Sequence, residues 1–182
     1  MNVARRTCIC FMTSALLSFG AQAALDIGDK APDFSTVAAK AGKSFQFSLS
    51  ATLAKGPVVL YFFPAAFSEG CSIEAHAFAE AMPEFEALGA TVVGVSRDDI
   101  QVLSRFSVQA CNGKFPVASD ETLAIAKAFD ATMQHRADYA NRVSYVISPA
   151  GRVTYRYLSL DPSRHVGNTL AALREWKLRL PQ

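Results

Sequence analysis

The stretch Val58-Val59-Leu60-Tyr61-Phe62-Phe63 constrains this chain more than any other. Its six consecutive apolar, β-branched or aromatic residues lie between Gly56-Pro57 and Pro64. That is too short a run for a stable helix, and it has the pattern of a strand covered on both faces, as in the middle of a parallel or mixed sheet. Beyond Pro64 the period changes. Ile73, Ala77, Phe78, Ala81, Met82, Phe85 and Leu88 recur at helical spacing, which predicts a helix with those residues on its buried side. Cys71 therefore falls at the junction, in or just before the first turn. Backbone N–H groups there lack intrahelical partners and the helix dipole is positive. Such a position favours a reactive cysteine over an inert one.

Met1 to Ala23 has the layout of a secretory signal. Arg5 and Arg6 come first, Thr7 to Phe19 is apolar, and Ala21-Gln22-Ala23 is a small-residue cleavage site. The apolar part is short for a membrane span, so the expectation is an exported chain, periplasmic or secreted, with no membrane attachment after cleavage. Adjacent arginines also admit a twin-arginine route. Cleavage would remove Cys8 and Cys10 and leave 24–182 as one domain with its own core. Losing Arg5 and Arg6 leaves 16 Lys and Arg against 16 Asp and Glu, so nothing points to nucleic acid or an anionic surface. Only Cys71 and Cys111 remain. In an oxidising compartment two cysteines can equally be a structural disulfide, and the counts alone leave both readings open.

Along the mature chain, Gly28 to Phe34 is turn-rich, and Lys43 to Leu49 alternates as a half-exposed strand of a hairpin would. Pro83 interrupts the predicted helix and removes one of its hydrogen bonds; Gly89 closes it. Ala90 to Ser96 is a second buried strand. Asp98 is then expected to cap a helix carrying Ile100, Leu103, Phe106 and Ala110, which ends near Cys111. Phe115 to Ala118 is extended, and a further helix is expected from Ser119-Asp120-Glu121 through Phe129. Asp130 to Asn141 has no period and is expected to be a loop. Arg142 to Ile147 and Arg152 to Tyr157 flank Pro149-Ala150-Gly151 as a hairpin, and Ser163 to Leu180 is a terminal amphipathic helix. The order implies an α/β fold with a mixed central sheet and helices on both faces.

Several of these strings resemble the peroxiredoxins, peroxidases with a thioredoxin-like fold that reduce hydroperoxides through a cysteine thiolate. Gly28-Asp29-Lys30-Ala31-Pro32-Asp33-Phe34 is similar to the family's opening. Tyr61 to Pro64 and Phe67 to Cys71 are similar to its active-site signature of a proline, a hydroxyl residue and the peroxidatic cysteine. Val93 to Asp98, Phe115 to Asp120 and Arg142 to Ile147 follow in the family's order. The spacing of Pro64 and Cys71 resembles most the peroxiredoxin Q, or bacterioferritin-comigratory, branch. Three departures stand out. Ser68 replaces the commoner threonine and Glu69 a common proline. His76 stands where many branch members carry a resolving cysteine. In other members that cysteine is on the next helix, where Cys111 falls.

The resemblance implies that Cys71 is peroxidatic and Cys111 resolving, with Arg142, Ser68 and Pro64 completing the catalytic set. It implies a hydroperoxide substrate, a thioredoxin-like or other dithiol reductant, and a monomer in preference to a dimer; no cofactor or metal is expected. A free thiol with a pKa of about 8.5 is roughly 3% ionised at pH 7, so ionisation alone gives at most about 30-fold. The rest of the rate must come from donors that stabilise charge as the O–O bond breaks. Arg142, the Cys71 N–H and the Ser68 hydroxyl are the expected donors, with Pro64 shaping the pocket wall. Glu74, His76, His135, His165 and Trp176 are expected to be structural or solvated, and no zinc-ligand spacing occurs. A redox sensor or disulfide-stabilised binding domain without efficient turnover is the alternative on the same fold.

Overall fold

The computed structural model describes residues 25–180, so the expected signal segment and its boundary lie outside the described residues. Among the described residues nine strands and five helices follow one another, beginning with β1 (Ser35–Lys40), β2 (Lys43–Ser48), α1 (Leu49–Leu53), β3 (Val58–Phe62), α2 (Glu69–Ala87), β4 (Thr91–Ser96) and α3 (Ile100–Gln109). Then come β5 (Val117–Ser119), α4 (Ala124–Ala128), β6 (Thr132–Met133), β7 (Arg136–Ala140), β8 (Val143–Ile147), β9 (Val153–Leu158) and α5 (His165–Leu178), the last entered through a 3-10 turn, Pro162–Arg164.

Seven strands form one mixed sheet in the order β2-β1-β5-β4-β3-β8-β9. The apolar stretch Val58–Phe62 lies inside it, as β3. β3 runs parallel to β4 and antiparallel to β8, and all five of its residues are buried. Both faces of β3 are covered because its alternate residues feed two separate cores. Val58, Leu60 and Phe62 pack with Leu49 and Leu53 of α1, Ala126 of α4 and Phe129. Val59, Tyr61 and Phe63 pack with Phe78 and Phe85 of α2, Phe106 of α3 and Leu173 of α5. This is the thioredoxin-like arrangement that the sequence implied.

Three local expectations change. Asp99, not Asp98, caps α3 by accepting the Val102 N–H at 2.8 Å. The helix expected from Ser119 is confined to Ala124–Ala128, because Leu123 takes a left-handed φ of 58° that no helix interior tolerates. Asp120 still acts at its start, accepting the N–H groups of Ile125 and Ala126. The segment expected to be a loop, Asp130 to Asn141, contains the two-stranded sheet β6-β7. Its short strands carry too few apolar residues to register as a period.

Tyr61 lies flat against Phe78, with ring centroids 4.5 Å apart, and its buried hydroxyl has no hydrogen-bond partner among the described residues. Opposite it, β4 must have a glycine. A Cβ at Gly94 would lie 2.7 Å from the Tyr61 ring. Tyr61→Phe keeps the stacking and removes a desolvated hydroxyl, so it should raise stability by about 1 kcal/mol in urea unfolding. A loss of that size instead would mean that the hydroxyl is satisfied in solution.

Candidate active site

The buried carboxylate of Glu74 is the side chain around which the site is assembled. The buried stripe of α2 keeps the expected Phe78, Met82 and Phe85 and departs from the expectation at its start. Ile73 is 53% exposed, whereas Glu74 is fully buried between Cys71 and Phe78 on the inner face. A carboxylate displaces an isoleucine from the core side because a cation waits for it there. Arg142, the residue before β8, is also buried and pairs through Nη1 with Glu74 Oε2. The same guanidinium donates from Nε to the Leu160 carbonyl at 2.9 Å and from Nη1 to the Gly70 carbonyl at 3.4 Å. Its Nη2 donates to Cys71 Sγ at 3.5 Å. Gly70 makes this approach possible, since a Cβ there would lie 3.0 Å from Nη2.

Cys71 is the third residue of α2, in the first turn as the pattern predicted, and is 1% exposed. The loop that brings it there, Pro64 to Ser68, is held from two sides. Asp98 accepts the Ala66 N–H at 2.7 Å, which is what that carboxylate does instead of capping α3. Phe67 adopts a left-handed φ of 63°, costing on the order of 1–3 kcal/mol, and its ring sits edge-on to Phe106 at 5.3 Å. Ser68 occupies the N-cap position, but its hydroxyl donates back to the Ala65 carbonyl at 3.0 Å and caps nothing. Pro64 is half-buried at the end of β3, and Glu69 points to solvent.

Cys111 follows α3 and is fully buried in the same core cluster as Cys71, Phe63 and Phe106; both cysteines are free thiols. Burial holds the Cys111 thiol far above the usual range, so it is neutral in this conformation. Beside the loop an open cavity of about 550 Å³ is lined by Phe67, Ile73, His76 and Ala110 among others. His76 is exposed there and pairs with Glu80 at 3.5 Å. Among the described residues no group of three or more His, Cys, Asp or Glu side chains could hold a metal.

Two residues that the sequence left as structural or solvated belong to the site. Glu74 is one; its place three residues after Cys71 on a helix, on the same face, was the available signal. Burial pushes its carboxyl up to about 7, against the opposing pull of Arg142. The other is His165, fully buried at the start of α5, whose Nδ1 lies 3.5 Å from Glu74 Oε1.

A cysteine in the first turn of a helix after a central strand, with an arginine from an antiparallel neighbour on its sulfur, defines a thiol-dependent peroxidase on a thioredoxin-like fold. The chain belongs to the AhpC/TSA family, whose model matches residues 27–156. It is similar to the peroxiredoxin Bcp of Xanthomonas campestris, 31% identical over 123 residues, 64% of this chain and 76% of that one. It is likewise similar to the chloroplastic peroxiredoxin Q of Oryza sativa subsp. japonica, 32% identical over 149 residues, 81% of this chain and 66% of that one. Among solved structures, the peroxidoxin BcpB of Mycobacterium tuberculosis matches with a TM-score of 0.74 and 28% identity, over 83% of this chain and 97% of that one. A cysteine-to-serine mutant of Xylella fastidiosa PrxQ matches with a TM-score of 0.75 and 26% identity, over 84% and 98%. The peroxiredoxin resemblance noted in the sequence, including its peroxiredoxin Q leaning, is thereby supported, and the family favours turnover over the sensor or binding alternative.

Proposed function

We propose that this peroxidase reduces hydrogen peroxide and organic hydroperoxides with Cys71 as the peroxidatic residue and Cys111 as the resolving one. The observation that carries the reading is the 3.5 Å separation of Arg142 Nη2 from Cys71 Sγ, with both side chains buried. The Cys71 thiolate attacks the terminal peroxide oxygen. The O–O bond breaks, an S–O bond forms, and the departing oxygen leaves as water or alcohol once it takes a proton. Arg142 and the N–H of Cys71 face the charge that develops there, where a buried donor is worth most. Pro64 and Ser68 complete the pocket wall, although the Ser68 hydroxyl first has to turn away from Ala65.

The Cys111 sulfur then attacks the sulfenic sulfur, expelling water and forming an intrachain disulfide, which an external thioredoxin-like dithiol reduces by exchange. Cys111 is buried and neutral, so this step needs the start of α2 to open and admit water. The missing side-chain cap at Ser68 lowers the cost of that opening, a cap being worth about 0.5–2 kcal/mol. The same proposal takes 1–23 as a removed signal, the mature chain as an exported, periplasmic monomer, and the reductant as a partner in that compartment.

One equivalent of peroxide added to the reduced mature protein, followed by non-reducing mass analysis, tests the assignment. A Cys71–Cys111 bridge is expected, absent in Cys111→Ser. A sulfenic acid that persists at Cys71 in the unaltered chain would remove Cys111 from the cycle.

A further inference from the structure

One buried contact is left over by this chemistry. Glu74 has two oxygens; Oε2 is taken by Arg142, and Oε1 is buried with no hydrogen-bond partner among the described residues. His165 Nδ1 lies 3.5 Å from Oε1, and both side chains are fully buried. The histidine is held from two other sides. Its Nε2 lies 3.0 Å from the Ser159 carbonyl, which can only accept, so Nε2 has a proton. Its Nδ1 lies 2.8 Å from Ser144 Oγ. With Nδ1 bare, Ser144 donates to it and Glu74 Oε1 faces a lone pair. One added proton, on Nδ1 or on the carboxyl, turns that repulsive contact into a hydrogen bond.

We propose that His165 is a positioning residue of this peroxidase: it shares a single proton with Glu74 and thereby sets how much of the Arg142 charge is left to act at Cys71. This rests on the reading of Cys71 and Arg142 given above. Without the shared proton the Glu74 carboxylate cancels the guanidinium charge, and the cluster is neutral. With it the Glu74–His165 pair is neutral, and the positive charge of Arg142 faces the sulfur uncompensated. A charge at such a distance is worth a shift of about 1–3 pKa units for an ionising neighbour.

The other charged or titratable groups around the pair are few. Cys71 comes from α2, Arg142 from the position before β8 and Tyr61 from β3. Tyr157 of β9 lies edge-on to the His165 ring at 4.8 Å, and Asp161 precedes α5. The Asp161 carboxylate opposes the lowering that burial and Arg142 impose on His165. Burial places the Glu74 carboxyl near 7, so the shared proton comes and goes around neutral pH.

The test compares two rates on the reduced protein across pH, reaction with hydrogen peroxide and alkylation of Cys71 by iodoacetamide. Their ratio cancels the fraction of ionised thiol and leaves the help given to O–O cleavage. In the unaltered chain the ratio is expected to fall about tenfold as pH rises through about 7. In Glu74→Gln it should stay at the acid-side value throughout. In His165→Gln, which can still donate to Ser159 but cannot titrate, the inflection should move by at least about one pH unit or vanish. A ratio that is flat in the unaltered chain, or an unmoved inflection in His165→Gln, overturns the proposal.

Should either variant fail to fold, NMR of the unaltered protein decides. The His165 ring nitrogens and the Glu74 carboxyl carbon should titrate together between about pH 5 and 9. A carboxylate ionised and an imidazole neutral across that range overturns the proposal. Peroxide consumption that survives Cys71→Ser would instead sink the reading of the site on which this rests.

Discussion

Cys71→Ser should abolish peroxide turnover, lowering the second-order rate in stopped flow by on the order of 10³ or more, because the nucleophile is lost outright. The serine hydroxyl can still accept from Arg142 Nη2, which now lies 3.5 Å from the sulfur, so the fold should persist and the loss be chemical. A far-UV spectrum and urea midpoint close to those of the unaltered chain are the necessary companions to that result. Turnover retained by the serine variant would show that another group attacks the peroxide.

Arg142→Met should be nearly as damaging to the rate and more damaging to the fold. Removing a donor aimed at developing charge typically costs about 10²–10³. Breaking a buried ion pair from one side costs about 3–5 kcal/mol when the remaining charge has nowhere to go. Here it has somewhere to go. Burial already lifts Glu74 from 4.5 to about 7, and losing Arg142 removes the influence that was holding it down. The carboxyl will therefore protonate in the variant near neutral pH and escape part of the penalty. The sign follows. A carboxyl whose folded value is raised above its unfolded one binds more protons when folded, so its contribution to stability is complete below about 4.5 and is lost as pH rises through the folded value. Arg142→Met should be least stable relative to the unaltered chain on the alkaline side, and adding Glu74→Gln should restore much of the difference there. A penalty independent of pH would mean that Glu74 is stabilised by something other than Arg142.

The elements that place the site were legible because each follows one dominant pattern. β3 is an unbroken apolar run between proline signals, and Phe78, Met82 and Phe85 keep helical spacing down the inner face of α2. The position of Cys71 in the first turn followed from where one period gives way to the other. What was not legible are the places where polar chemistry overrides hydrophobic sorting. Ile73 and Glu74 exchange their expected sides because Arg142, distant in sequence, offers the carboxylate a buried partner, and no local pattern announces a partner across the sheet. His165 is fully buried for the same reason, met by Ser144, Ser159 and Glu74 from three separate segments. Asp98 and Asp99 are adjacent and chemically alike, and only the Ala66 N–H on one side and the Val102 N–H on the other divide their tasks. Leu123 shows a different failure. A β-turn-like left-handed residue at a leucine gives no compositional warning, and it shortens α4.

The depth at which Cys111 lies has a kinetic consequence. If the chain must part locally before this sulfur can reach its target, the lifetime of the oxidised intermediate is fixed by a structural event and not by how fast thiols react. A fixed lifetime is a clock against which oxidant concentration is measured. When peroxide molecules arrive less often than the clock ticks, each oxidation ends in a recoverable disulfide. When they arrive more often, a second oxygen is added first and the sulfur passes to sulfinic acid, beyond the reach of a dithiol. Packing around a residue that never touches the substrate would thus decide the dose at which the enzyme switches itself off.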